Sequence, residues 1–237
     1  RILIPFVIGL ILIVPLSLLP FHFNSFYFVQ HFDFETAVKK SLLQMFSWNG
    51  MAHLWFLYYL LFFYGASLIY VYALQEKISH LTAKFTKYFE RITLTKLLLP
   101  AAILFFLLMY FQMYTPPVYT GIKPNLIYLL YYGLFFGCGW LMHCNIRSIE
   151  SLGVNGWALF ITGSCLSVLH FFKPGIATPL SYILVSVETI ALVFGITGLF
   201  VKYLHKENKG WRYFSDASYW VYLVHVLIVA SLQVALL

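Results

Sequence analysis

Charge is what this sequence has least of. Asp, Glu, Lys and Arg together make up 10% of its 237 residues, where a soluble globular domain carries roughly 25%. Such a chain lacks the polar surface to cover itself in water. Cysteine is scarce too. Cys138, Cys144 and Cys165 form no CxxC pair, so they read as packing thiols and not as a disulfide scaffold or a metal knuckle. No glycine period or polar low-complexity tract is present, which excludes collagen and disorder. GxSxG, the P-loop, GxGxxG and HExxH are all missing, so neither a resident metal nor a bound cofactor is expected. Acidic residues number 8 against 15 basic ones, a net charge of +7. That excess sits in short segments between apolar runs, as membrane-loop anchoring requires, and does not call for nucleic acid.

Apolar and aromatic residues are abundant. The chain is 62% hydrophobic, with 24 Phe, 18 Tyr and 6 Trp, and its mean hydropathy is +0.84. The fold class that follows is all-α: a polytopic membrane helix bundle. A spanning helix needs about 20 mostly apolar residues. Seven stretches meet that condition: Arg1–Phe21, His53–Leu74, Leu97–Tyr114, Asn125–His143, Val154–Phe172, Leu180–Leu204 and Ala217–Leu237. No linker or internal repeat divides them, so residues 1–237 read as one domain. The chain starts on Arg1 inside an apolar run, and that run lacks a small-residue cleavage site. The expectation is an N-terminally truncated domain whose first helices lie upstream.

The basic residues orient the bundle. Arg1, Lys77, Lys84, Lys87, Arg91, Lys96, Arg147, Lys202, Lys206, Lys209 and Arg212 fall on one set of loops. Only Lys39, Lys40, Lys123 and Lys173 fall on the other. The richer set is cytoplasmic, so Arg1 is expected inside and Leu237 outside, in a cell inner (plasma) membrane. The outer segment His22–Ala52 is expected to be an irregular, aromatic-rich connection. The inner segment Gln75–Lys96 spaces Ile78, Leu81, Phe85, Tyr88, Phe89 and Ile92 as an amphipathic helix lying on anionic lipid.

Polar groups inside a bilayer are costly, so each asks for a reason. Glu188 is the one acidic residue within a predicted apolar core, about 12 Å from the outer end of its helix. It reads as a proton acceptor, or as a protonated carboxyl bonded to a neighbouring helix. His225 lies about 13–14 Å from the inner end of the last helix. Ser218, Tyr222 and His225 follow i, i+4, i+7 and share one face. Asp216 or Ser215 is the expected N-cap of that helix. The similar depths of Glu188 and His225 suggest a shared proton, with separate Ser or Tyr partners such as Ser181 as the alternative. His53 opens the second helix beside Trp55. The remaining histidines, including His22, His31 and His170, are expected to be solvated. Gly133 and Gly137 form a GxxxG suited to a close helix contact, while Gly195 and Gly198 are placed to interrupt their helix.

Two stretches carry a resemblance. Ser47-Trp48-Asn49-Gly50-Met51-Ala52-His53-Leu54-Trp55-Phe56-Leu57 is similar to the W…HLWFL start of a helix in the membrane-bound acyltransferase 3 family. Ser215-Asp216-Ala217-Ser218-Tyr219-Trp220-Val221-Tyr222-Leu223-Val224-His225 resembles that family's last-helix pattern S(D/E)ASYxxYLxH. Arg1-Ile2-Leu3-Ile4-Pro5-Phe6 looks like its third-helix start. The family includes O-antigen acetyltransferases and glucan-modifying enzymes. The resemblance implies transfer of an acyl group, acetyl or succinyl, from acyl-CoA to a carbohydrate hydroxyl of a cell-envelope glycan. The implied partners are membrane lipid, acyl-CoA and the glycan acceptor. Glu188, His225 and His53 become catalytic candidates, and Trp55, Ser218 and Tyr222 substrate-binding ones. The family's main catalytic His follows a basic residue by eleven positions. None of the eight His here does so, which places that His upstream of Arg1 and predicts an inactive fragment.

A secondary transporter or channel, with Glu188 and His225 binding protons or solute, is the competing reading. A retinal receptor is excluded, because Ala217–Leu237 has no Lys for a Schiff base. Orientation is directly testable. A cysteine placed at Lys87 should resist impermeant maleimide in intact cells, and outside labelling there would reverse the assignment.

Overall fold

The computed structural model describes residues 2–44, 51–113, 121–172, 178–204 and 208–236. Every regular element among them is helical. The helices are α1 (Leu3–Val29), α2 (Phe34–Gln44), α3 (Trp55–Leu74), α4 (Gln75–Tyr88), α5 (Leu98–Tyr110), α6 (Leu126–His143), α7 (Ile146–Phe172), α8 (Thr178–Leu204) and α9 (Lys209–Ala235). Five stretches are long and apolar enough to cross a bilayer: α1, α3, α6, Arg147–Phe172 of α7 and Pro179–Leu204 of α8. A sixth is α9, bent by 50° between Lys209–Ser218 and Trp220–Ala235. The Ser218 hydroxyl donates back to Ser215 O at 2.7 Å just before that bend, and such back-bonding bends helices. The sequence expectation of seven is not reached by length. α5 has 13 residues, about 20 Å of helix, against a hydrocarbon core of about 30 Å.

The chain forms two compact units, Arg1–Phe62 with Val118–Pro124 and Asn208–Leu237, and Phe63–Pro117 with Asn125–Glu207. In the first, Ile2 just before α1 and Phe6, Leu10, Val14 and Leu18 on it follow at every fourth position and pack with Leu54, Leu57, Tyr58 and Leu223. His31, in the left-handed region at φ 56°, stops α1: the Phe32 N–H returns to Phe26 O at 3.0 Å, a helix-closing bond. Asp33 then caps α2, accepting from Thr36 N at 2.9 Å. That N–H holds the exposed Asp33 carboxyl below its ordinary pKa. His22–Ala52 is therefore not an irregular connection where it is described. His22 lies inside α1, and α2 buries Ala37 and Ser41.

The second unit is built on the α7/α8 hairpin. Small residues let the two backbones touch. A Cβ on Gly195 would lie 2.5 Å from Phe160 N, and one on Gly198 2.5 Å from Leu152 O. On the facing helix, a Cβ on Gly156 would lie 2.9 Å from Leu199 N, and one on Gly163 2.8 Å from Leu192 Cγ. Gly195 and Gly198 do not interrupt α8; they are where α7 seats. Gly133 and Gly137, by contrast, make no close helix contact among the described residues. There a Cβ on Gly133 would lie 3.4 Å from the Phe63 ring, and one on Gly137 would meet nothing within 4 Å. They line a groove of about 380 Å³ between α3 and α6.

α4 is the expected amphipathic helix, and the turn after it is stitched to the start of α7. Ser148 Oγ donates to Phe89 O, Ile92 N donates to Ser151 Oγ at 2.7 Å, and Asn155 Nδ2 donates to Ile92 O at 3.2 Å. Phe89 and Ile92 are buried there and do not lie on lipid. The side chains of Ile78 and Leu81, residues Ser47–Gly50 of the first motif, Lys173 and His205 lie outside the described residues. Large side chains on the spans stay exposed, among them Ile11, Leu68, Val154 and Phe171, as a lipid-facing surface requires. Gly195→Ala or Gly198→Ala should destabilise the hairpin by about 1–3 kcal/mol, read as a lower unfolding temperature in detergent. Gly137→Ala should leave that temperature unchanged.

Candidate active site

The site in the first unit starts from a packing notch. A Cβ on Gly9 would lie 2.9 Å from Leu54 Cδ1 and 3.3 Å from Leu223 Cδ2, so the bare Gly9 lets both leucine tips pack closely on α1. Leu54 is fully buried there. It fixes the short turn Ala52–Leu54 and with it His53, which lies just before the span Trp55–Leu74. The second helix therefore begins after His53 and not on it.

His53 Nε2 lies 3.1 Å from Leu223 O. A carbonyl only accepts, so Nε2 carries the hydrogen and Nδ1 holds the lone pair. That Nδ1 is buried and meets no hydrogen-bond partner among the described residues. Burial holds the imidazole below its ordinary pKa, the neighbouring His225 pushes the same way, and the Leu223 carbonyl opposes both. Tyr222 OH donates to His53 O and locks the turn onto α9.

His225 has the opposite tautomer. Its Nδ1 lies 2.7 Å from Tyr222 O and 3.1 Å from Val221 O, so Nδ1 carries the hydrogen. Nε2 keeps the lone pair, on a side chain that is exposed. The two imidazole centroids are 5.4 Å apart at 78°, and the Tyr222 ring lies 5.6 Å from His53 and 6.0 Å from His225. Helical spacing thus brought Tyr222 and His225 together. Ser218 is not part of the group, since its hydroxyl is turned back to Ser215 O. Trp55 packs edge-on against Phe56 at 6.1 Å, and Phe56 in turn meets Tyr222 at 6.5 Å. Asp216 and Ser215 do not cap α9. The helix begins at Lys209, and its cap is Asn208, whose Oδ1 accepts from Gly210 N at 2.8 Å.

Glu188 belongs to the second unit and has its own partners. Ser167 Oγ donates to Oε1 at 2.5 Å. His170 Nδ1 lies 3.4 Å from Oε2, within ion-pair reach but without hydrogen-bond alignment. Side chains lean toward the N-terminus of their helix. In an antiparallel hairpin, His170 on α7 and Glu188 on α8 therefore lean toward each other. Ser167 is thus a hydroxyl that meets Glu188, and His170 sits in the last turn of α7 and not in a solvated loop. His22 likewise sits within a helix, with Nε2 buried and unpartnered among the described residues. Sequence reasoning missed Ser167 and His170, although their i, i+3 spacing was a usable signal. It had none for the Leu223 carbonyl, because every residue has one. Among the described residues, no three His, Cys, Asp or Glu side chains form a metal-ligand group.

A multi-pass helical membrane protein with a closely spaced imidazole pair is the class these features define. The family model described as an acyltransferase domain matches residues 1–237, so the chain belongs to the acyltransferase 3 family and is an acyltransferase. Nothing matches it among curated proteins, and nothing among solved structures.

Glu188→Ala should leave the Ser167 hydroxyl and the His170 imidazole unpaired and cost about 1–3 kcal/mol. Glu188→Gln, which still accepts from Ser167, should cost less. Thermal unfolding in detergent distinguishes them, and equal losses would deny the carboxyl oxygen its role.

Proposed function

We propose that this membrane acyltransferase moves an acyl group, of acetyl or succinyl type, from acyl-CoA to a hydroxyl of a cell-envelope glycan. The observation that supports this most is the pair of oppositely fixed imidazoles, His53 and His225. Acyl transfer to a sugar needs a base for the hydroxyl and a proton for the departing thiolate. In this reading His225 Nε2 takes the hydroxyl proton as the oxygen attacks the thioester carbonyl. The new C–O bond forms, the C–S bond breaks, and the proton passes from the imidazolium to the CoA sulfur. His53 stays neutral, since two imidazolium ions this close would repel. Its role is positioning, through Leu223 and Tyr222. No resident cofactor or metal enters the scheme, and the partners are acyl-CoA, the glycan and membrane lipid.

The reading places the protein in a cell inner membrane with Arg1 inside and Leu237 outside. The basic split supports that orientation. It needs α5 and the bent α9 to be crossing elements alongside the five long spans.

The test is transfer of radiolabelled acyl groups in membranes holding the full-length protein. His225→Asn should lower kcat by about 10²-fold or more, with acyl-CoA binding retained. His53→Asn should lower it less. Wild-type activity in the His225→Asn variant would overturn the assignment.

A further inference from the structure

The first unit contains a pocket of about 420 Å³, lined by Ile4, Pro5 and Ile8 of α1 and by Asp216, Trp220 and Leu223 of α9. Volumes of this order hold small molecules. Asp216, Trp220 and Leu223 follow i, i+4, i+7 and form one stripe of α9. His225, nine residues past Asp216, is turned to the opposite side. The pocket is therefore separate from the imidazole pair, and what it binds does not depend on the acyl-transfer reading.

Two features set the pocket at a bilayer surface. α9 bends by 50° between Lys209–Ser218 and Trp220–Ala235, so its first part leans away from the direction of the second. That first part exposes Trp211, Tyr213 and Phe214 beside Lys209 and Arg212, the aromatic and basic mixture of a membrane–water interface. Asp216 follows Arg212 by four residues, which puts the two about 6 Å apart on one face. Neither side chain has an ion-pair or hydrogen-bond partner among the described residues. A carboxylate beside apolar walls in a membrane calls for a cation. A negative and a positive group one turn apart, next to an apolar pocket, complement a zwitterion that carries a hydrocarbon tail.

We propose that this pocket binds an aminophospholipid of the ethanolamine class. The primary ammonium donates to the Asp216 carboxylate, Arg212 meets the phosphate, and the first part of one acyl chain lies along Ile4, Ile8 and Leu223. A primary ammonium carries three N–H donors, as that of lysine does, and its bond to a carboxylate is charge-assisted. A choline headgroup has no N–H to give, and a glycerol headgroup has no cation. Ile4 is exposed, so the pocket is open on that side and the rest of the chain runs on into the bilayer.

The full-length protein, delipidated in detergent, is titrated with phosphatidylethanolamine, phosphatidylcholine and phosphatidylglycerol of identical chains, and bound lipid is counted by native mass spectrometry. The wild type should bind phosphatidylethanolamine about tenfold more tightly than either of the others. Asp216→Asn keeps the shape of an exposed side chain, so the lipid-free unfolding temperature should not move, yet the preference over phosphatidylcholine should vanish. Asp216→Lys should favour phosphatidylglycerol instead. Ile8→Trp, which fills the pocket, should weaken all three lipids. Equal binding of the ethanolamine and choline lipids by the wild type would overturn the proposal. So would an ethanolamine preference that survives Asp216→Asn, binding untouched by Ile8→Trp, or no bound lipid at all.

Discussion

Hydrocarbon offers no hydrogen bonds, so every polar group in these spans must find its partner within the protein. The backbone meets this by forming helices throughout. The small hydroxyls meet it locally. Ser17, Ser67, Ser186, Thr189, Thr197 and Ser231 each donate to a carbonyl three or four residues back on their own helix. Thr189 also meets Tyr131 on α6. Among the described residues, bonds cross between segments at the His53 turn on α9, at Ser167 with His170 around Glu188, between Trp157 and Tyr203, and from the turn after α4 to the start of α7.

Packing follows from the same scarcity. Lipid chains are as apolar as leucine, so helices gain by touching closely and not by escaping solvent. Where side chains vanish, backbones meet, as at Gly156, Gly163, Gly195 and Gly198. Gly9 uses the same device for a different end. Its missing side chain seats Leu54 and Leu223, and those two residues place the histidine turn against the helix whose carbonyl fixes its tautomer. One small residue on α1 therefore reaches the chemistry of the imidazole pair through packing alone.

The tautomers give the site its direction. Two imidazoles free to rotate would exchange donor and acceptor roles. Here each is tied by one nitrogen to a backbone carbonyl, so each presents a defined lone pair. His225 keeps its own on an exposed side chain, while that of His53 is buried. An accessible and a buried lone pair are thus distinguished before any ligand arrives.

The sequence alone determined the class, the helical fold and most spans, because apolar runs near 20 residues and a shortage of charge have one physical solution in a membrane. It also singled out His53, Tyr222, His225 and Glu188, since polar residues in apolar helices are conspicuous, and two motifs carried the family. It paired Glu188 with His225 on depth, with a separate Ser or Tyr partner as the alternative; depth says nothing of which helices adjoin, and the α7/α8 glycine seam gives Glu188 the partners Ser167 and His170. Gly133 and Gly137 looked like a contact and line a groove, while Gly195 and Gly198 looked like a break and form the tightest contact. A one-dimensional pattern gives the face of a helix but not what lies opposite. The neighbour, the tautomer it imposes and the pocket beside Leu223 were decided only when distant segments packed together.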